Sequence, residues 1–164
     1  MSDPNPPKMV IGWFSFTGCE GCTIHLSELL NKNFDAWIKL VEIRYCKTLK
    51  TKNSMEGLDI AFIEGALSSQ EHFDKMQKIR DNSKYVIAVG SCAVSGRPSS
   101  SRNDFGPDKI DDRIKSYFER FDYAPKVKKI DEVVKVDDYI QGCPMLADQF
   151  INALTKYLKI FKLV

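Results

Sequence analysis

Cysteines carry the chemistry in this sequence, and four of the five sit in glycine-containing segments that follow apolar or extended runs. Cys19 and Cys22 close Thr17-Gly18-Cys19-Glu20-Gly21-Cys22, directly after the apolar residues 9–16. Cys92 lies in Gly90-Ser91-Cys92 after residues 85–89, and Cys143 in Gly142-Cys143-Pro144 after a third extended segment. A Cys-x-x-Cys pair taken alone serves thiol redox enzymes, zinc sites and iron–sulfur proteins alike. Four thiolates brought together make one soft site, of the number that a zinc ion or an iron–sulfur cluster takes. In a reducing compartment clustered cysteines point to metal, and their odd total argues against a disulfide framework.

For those thiols to meet, the elements before them must end side by side. Residues 9–16 read as a central strand, almost continuously apolar, as a parallel strand covered on both faces is. A helix is expected to open near Thr23 as its cap and to carry Ile24, Leu26, Leu29 and Leu30. Residues 40–46 alternate, with Val41, Ile43 and Tyr45 opposite Glu42 and Arg44, the pattern of a half-exposed strand nearer an edge. Residues 58–63 form the next strand and run into Glu64-Gly65-Ala66. Ser68-Ser69-Gln70-Glu71 reads as a capping box, with Glu71 reaching back to the cap amide. Phe73, Met76 and Ile79 share one face of the helix behind it, and residues 85–89 return as a buried strand.

Residues 96–106 read as the longest structureless stretch. Pro107, with Asp108, Asp111 and Asp112, marks a helix start, and Ile110, Ile114, Tyr117, Phe118 and Phe121 form that helix's apolar stripe. The last strand is expected within residues 128–136. Pro144 is expected in the first turn of a terminal helix carrying Leu146, Phe150, Leu154, Leu158 and Phe161. Strands alternating with helices predict an α/β fold: a flavodoxin-like parallel sheet of about five strands, in order 2-1-3-4-5, with helices on both faces. Ligands in such sheets bind beyond the strands' carboxyl ends at the switch point, where Cys19 falls.

A chain of 164 residues with 43% hydrophobic and 28% charged residues fits one soluble globular domain, expected over residues 9–164 behind a disordered tail of residues 1–8. The formal charge of +2 comes from interspersed signs, which gives no case for nucleic-acid binding. The polar, proline-rich start has no apolar signal core, and no later run is long enough to span a bilayer. The expected compartment is therefore the cytoplasm, with no membrane association.

Together, Thr17-Gly18-Cys19-Glu20-Gly21-Cys22, Glu64-Gly65-Ala66, Gly90-Ser91-Cys92 and Gly142-Cys143-Pro144 resemble the small, electron-transferring subunit of [NiFe] hydrogenases. The resemblance covers residues 9–159 and rests on the ordered set of motifs. It implies a flavodoxin-like domain holding a proximal [4Fe–4S] cluster through Cys19, Cys22, Cys92 and Cys143. It further implies a separate large subunit bearing the Ni-Fe centre, where hydrogen reacts. The absence of a second cluster-binding region resembles the short cytoplasmic type, which pairs with a diaphorase or another iron–sulfur subunit. Glu20, Gly21 and Thr23 stand where oxygen-tolerant relatives add a cysteine, so an ordinary cubane is expected. The related 20 kDa subunit of complex I has adjacent cysteines at the first motif, and the spaced pair here favours the hydrogenase side.

By this reading the chain conducts electrons and carries no catalytic residues of its own. Glu64 and Glu20 are candidates for a proton relay or for the subunit interface, each weighed against an ordinary strand-end or solvent-facing acid. Ser91 and the amides around Gly18 and Gly90 are candidate donors to cluster sulfur. Cys46 reads as a packed thiol, His25 as a polar residue near the interface, His72 as a surface residue, and Trp13 and Phe14 as core. Residues 97–102 read either as a contact to a partner or a flavin phosphate, or as a solvated loop. FMN is compatible with the fold but no motif supports it. The alternatives are a cluster-bearing subunit of a complex I-like energy-converting hydrogenase, a structural zinc module on the same thiols, and a thiol–disulfide enzyme. The last leaves Cys92 and Cys143 unexplained.

Overall fold

The computed structural model describes residues 6–164. The expected disordered tail therefore lies outside the described residues, apart from its last three. Lys8, among those three, donates from Nζ to the Ile38 carbonyl at 2.6 Å.

Five parallel strands form the sheet: β1 (Met9–Ser15), β2 (Val41–Tyr45), β3 (Leu58–Glu64), β5 (Ser83–Val89) and β7 (Asp138–Ile140). Their spatial order is β2-β1-β3-β5-β7, the expected 2-1-3-4-5 when only these five are counted. The side chains of β1 explain why the sheet must be covered twice. Met9, Ile11 and Trp13 join one core with Leu26 and Leu29 of α1 (Gly21–Leu40) and Phe150, Leu154 and Leu158 of α5 (Ala147–Ile160). Phe14 points to the other core, with Met76 and Ile79 of α2 (Gln70–Asp81) and Ala93 of α3 (Gly90–Ser95). A strand's period of two divides one apolar run between two cores. Phe62 at the centre of the sheet is fully buried between Trp13 and Phe150, and such burial stabilises by about 1.5–3 kcal/mol.

Several local expectations give way to tertiary contacts. Helix α1 begins at Gly21, with Glu20 in the left-handed region as its cap, so Thr23 does not cap it. Thr23 is instead buried, its hydroxyl held by other elements. The cap of α2 is Ser69, which accepts from the His72 amide at 3.2 Å. His72 takes the place assigned to Glu71 in the capping box: its Nδ1 accepts from the Ser68 amide at 3.3 Å. Residues 96–106 are not structureless, because Ser99–Asp104 winds into a 3-10 turn.

The helix expected from Pro107 starts later, as α4 (Asp112–Arg120), where the Asp111 side chain accepts from the Ile114 amide at 2.8 Å. Its apolar stripe is not buried: Tyr117 and Phe121 are exposed. No strand forms within residues 129–136. A short pair, β4 (Leu67–Ser69) with β6 (Tyr123–Lys128), is antiparallel and separate from the sheet, and the fifth strand is β7. Pro144 precedes α5 rather than opening it, because the Gln141 carbonyl closes a turn with the Leu146 amide at 2.8 Å.

Candidate functional site

Register alone brings the cysteine-bearing loops to one edge. Ser15 of β1 pairs with Glu64 of β3, Glu64 with Val89 of β5, and Val89 with Ile140 of β7. The four strands thus end abreast, and each following turn leaves the sheet on the same side. The β1, β5 and β7 turns carry Cys19 with Cys22, Cys92, and Cys143. All four cysteines line one pocket with Gly18, Glu64, Gly90, Ser91, Gly142 and Pro144.

Backbone bonds tie the three loops together. The amide and hydroxyl of Ser91 both donate to the Gly142 carbonyl, at 2.8 and 3.0 Å. The Met145 amide donates to Cys22 Sγ at 3.3 Å, and the Ser99 hydroxyl approaches Cys92 Sγ at 3.8 Å. Gly65, at φ +89°, lets the chain pass the β1 end: a Cβ there would lie 2.7 Å from the Phe16 carbonyl carbon.

The donor set is of the kind and number that a soft, thiolate-bound metal group takes. Four thiols from three loops ring a cavity, and glycines stand against the sulfurs. A Cβ would lie 2.5 Å from Cys22 Sγ at Gly90, 3.3 Å from Cys19 Sγ at Gly21, and 3.9 Å from Cys92 Sγ at Gly18. Among the described residues no three His, Cys, Asp or Glu side chains are drawn together as a site for one metal ion. Cys19 and Cys143 are exposed, Cys92 is partly covered and Cys22 is buried. Burial pushes the Cys22 thiol up to about 11, with the Glu64 charge adding to it and the Met145 amide opposing it. A group binding there must displace that proton, as thiolate-bound metals do.

The other candidates scatter. Glu64 is 4% exposed and belongs to the site: its Oε1 accepts from the Cys22 amide at 3.0 Å, and its Oε2 accepts from the hydroxyls of Thr23 and Ser15. Glu20 is exposed beside Cys19 and makes no side-chain cap bond. Cys46 is buried at the end of β2, and its amide donates to Asn53 Oδ1 at 2.7 Å. His25 is half-buried on α1. His72 packs edge-on against Phe16, and its burial lowers its pKa.

The 97–102 loop is fixed from within. Arg97 pairs with Asp104 at 2.7 Å, while Arg102 donates to the Ser68 and Ala124 carbonyls and lies over Phe118 and Tyr123. Sequence reasoning missed Thr23 and Ser15 as partners of Glu64. Their contacts span 41 and 49 residues, and no local pattern encodes them.

A family model described as NADH ubiquinone oxidoreductase, 20 Kd subunit, matches residues 19–157, a stretch that includes all four pocket cysteines. Coenzyme F420 hydrogenase subunit gamma from Methanosarcina barkeri is 32% identical over 157 residues, covering 92% of this chain and 55% of that protein. Sulfhydrogenase 2 subunit delta from Pyrococcus furiosus is 28% identical, with 92% and 62% covered. NAD-reducing hydrogenase HoxS subunit delta from Cupriavidus necator is 27% identical, with 90% and 77% covered. The chain thus spans somewhat over half the length of the first two relatives. A chain of the crystal structure of an NAD+-reducing [NiFe]-hydrogenase superposes with a TM-score of 0.79 at 24% identity, covering 93% of this chain and 92% of that one. That likeness establishes the sheet order and its helical cover as a shared fold. With the family match running from the first thiol through the terminal helix, this chain belongs to the family of the 20 Kd subunit of NADH ubiquinone oxidoreductase.

Proposed function

We propose that residues 9–164 form one cluster-binding domain, the electron-transferring small subunit of a [NiFe] hydrogenase. Cys19, Cys22, Cys92 and Cys143 would hold a single [4Fe–4S] cluster. The observation that carries this reading is the convergence of those four thiols, from three loops, on one glycine-lined pocket. When bound, such a cluster supplies a one-electron site whose potential follows the charge, hydrogen bonding and burial around it.

The chain's residues would do the rest. Gly18, Gly21 and Gly90 leave room at the sulfurs, and the Met145 amide donates to the buried thiolate of Cys22. The exposed sides of Cys19 and Cys143, with exposed Ile24 and Leu146 on neighbouring turns, face outward. We assign that edge to the large subunit, where hydrogen would be split into two protons and two electrons. The electrons would leave one at a time towards a diaphorase or another iron–sulfur subunit. Hydrogenase subunits among the relatives support this reading. Among the described residues no helix is long and apolar enough to cross a membrane.

Metal analysis of the tagged protein, purified without oxygen together with whatever binds it, tests the proposal. The expected result is about four irons per chain, with nickel in a co-purifying subunit. Iron without nickel would replace it with the complex I-like reading, and zinc in place of iron would overturn electron transfer altogether.

A further inference from the structure

A cavity of about 390 Å³ opens beside the edge strand β2, and none of the residues around the four thiols lines it. Ile11 and Trp13 of β1 and Phe150 of α5 form its floor, each at most 5% exposed. Helix α1 is broken at Asn33, where φ is −120° and ψ is 16°. The Asn33 side chain fastens the break by donating from Nδ2 to the Leu29 carbonyl at 2.8 Å. Residues on both sides of the break line the cavity, Leu30 before it and Phe34 and Ile38 after it. Phe34 and Ile38 stand at the lip, 55% and 47% exposed. An apolar cavity of about 150 Å³ already takes benzene, and ligand sites begin near about 300 Å³.

The lining dictates what could enter. Among the described residues its only charged side chains are Lys8 and Glu42. Glu42 is paired with Arg44 at 2.9 Å. Lys8 has no carboxylate partner among the described residues, and its Nζ donates to the neutral carbonyl of Ile38 at 2.6 Å. An ammonium carries three donors, so two are left for a bound anion. The Trp13 N–H, which could otherwise serve a ligand, is taken by Thr23 Oγ1 at 2.8 Å. Water in such a space finds few hydrogen-bond partners, whereas an apolar body supplies the dispersion contacts that the lining lacks. We infer that this cavity is a binding site for a small molecule with an apolar body and a carboxylate head. The body lies against Trp13 and Phe150, and the head meets Lys8 at the mouth. The site shares no lining residue with the cysteine pocket and does not depend on what that pocket holds.

The test is isothermal titration calorimetry of octanoate into the anaerobically purified protein with whatever binds it, with octan-1-ol as the uncharged probe of equal chain length. Octanoate should bind with a negative heat-capacity change, the mark of apolar burial. It should bind about threefold more tightly than octan-1-ol, the advantage of a partly exposed ion pair. Lys8→Met keeps the side chain's length without its charge and should erase that preference, leaving octan-1-ol binding at the wild-type level. Leu30→Trp fills the cavity from α1 and should abolish binding of both probes. Absence of octanoate binding to the wild-type protein would overturn the inference, and a partner subunit seated over Phe34 and Ile38 would show as that outcome. Octan-1-ol binding as tightly as octanoate would overturn it too, as would a preference that survives Lys8→Met or binding that survives Leu30→Trp. If Leu30→Trp does not fold, the Lys8→Met comparison decides alone.

Discussion

A Cβ placed on Gly90 would lie 2.5 Å from the sulfur of Cys22, and Gly90 holds a φ of +77°. Both facts require glycine: the backbone sits in the left-handed region, and the space beyond the Cα is already filled by a pocket thiol. Gly90→Ala should therefore strain the backbone by about 1–2 kcal/mol and displace Cys22 as well. Iron per chain should fall to a small fraction of wild type, measured on anaerobically purified protein. Iron at the wild-type level would show that Cys22 is not held where this pocket places it.

The five cysteines should separate cleanly. Cys22→Ser and Cys143→Ser are expected to lose bound iron, as removal of one of four thiolates does. Cys46 is 1% exposed just past the carboxyl end of β2, outside the pocket lining, and its thiol is pushed up by burial. Cys46→Ala should keep the iron content while costing about 1 kcal/mol, seen as a melting temperature lower by about 2–4 °C. Iron loss in Cys46→Ala would contradict the assignment of the pocket.

Asp137 accepts from the Val86 amide at 2.8 Å and from Arg80 at 2.6 Å. Burial would raise its pKa, but those two donors outweigh it and hold the carboxyl below its ordinary 3.8. The unfolded chain then binds this proton more readily than the folded one. Its contribution is fully present above pH ~3.8 and is lost as pH falls through the lower folded value. Urea unfolding from pH 6 downward should show Asp137→Asn less stable than wild type by about 1–3 kcal/mol at pH 6. The gap should close towards pH 3. A gap that stays constant over that range would remove this carboxylate from the acid response.

Arg102 pins the 97–102 segment to β6 by donating to the Ala124 carbonyl at 2.8 Å and lying over Phe118 and Tyr123. Among the described residues its Nη1 is buried without a partner, and burial lowers the guanidinium's pKa. Arg102→Ala should free β6 and α4 from this anchor. Limited proteolysis is expected to cut between residues 105 and 123 several-fold faster, with little change in bound iron. Unchanged cleavage would mean that the β4–β6 pairing holds the segment without the arginine.

Local sequence was enough to mark which residues could take part in soft-metal chemistry and on which kind of scaffold. Four thiols follow strand-like runs, and alternation of strand and helix leaves little choice but a parallel sheet, whose carboxyl ends share one edge. Apolar period and glycine position are local properties, so the sheet order and the convergence of Cys19, Cys22, Cys92 and Cys143 could be anticipated from them. Tertiary structure decided what no local pattern carries. Parallel pairing set Ser15 beside Glu64, and the early start of α1 turned Thr23 from an expected cap into the donor to that carboxylate. The antiparallel β4–β6 pair joins segments more than fifty residues apart, and α4 kept its apolar stripe without burying it. Loop-closing contacts of this kind depend on where whole elements come to rest, and side-chain spacing along the chain holds no record of that.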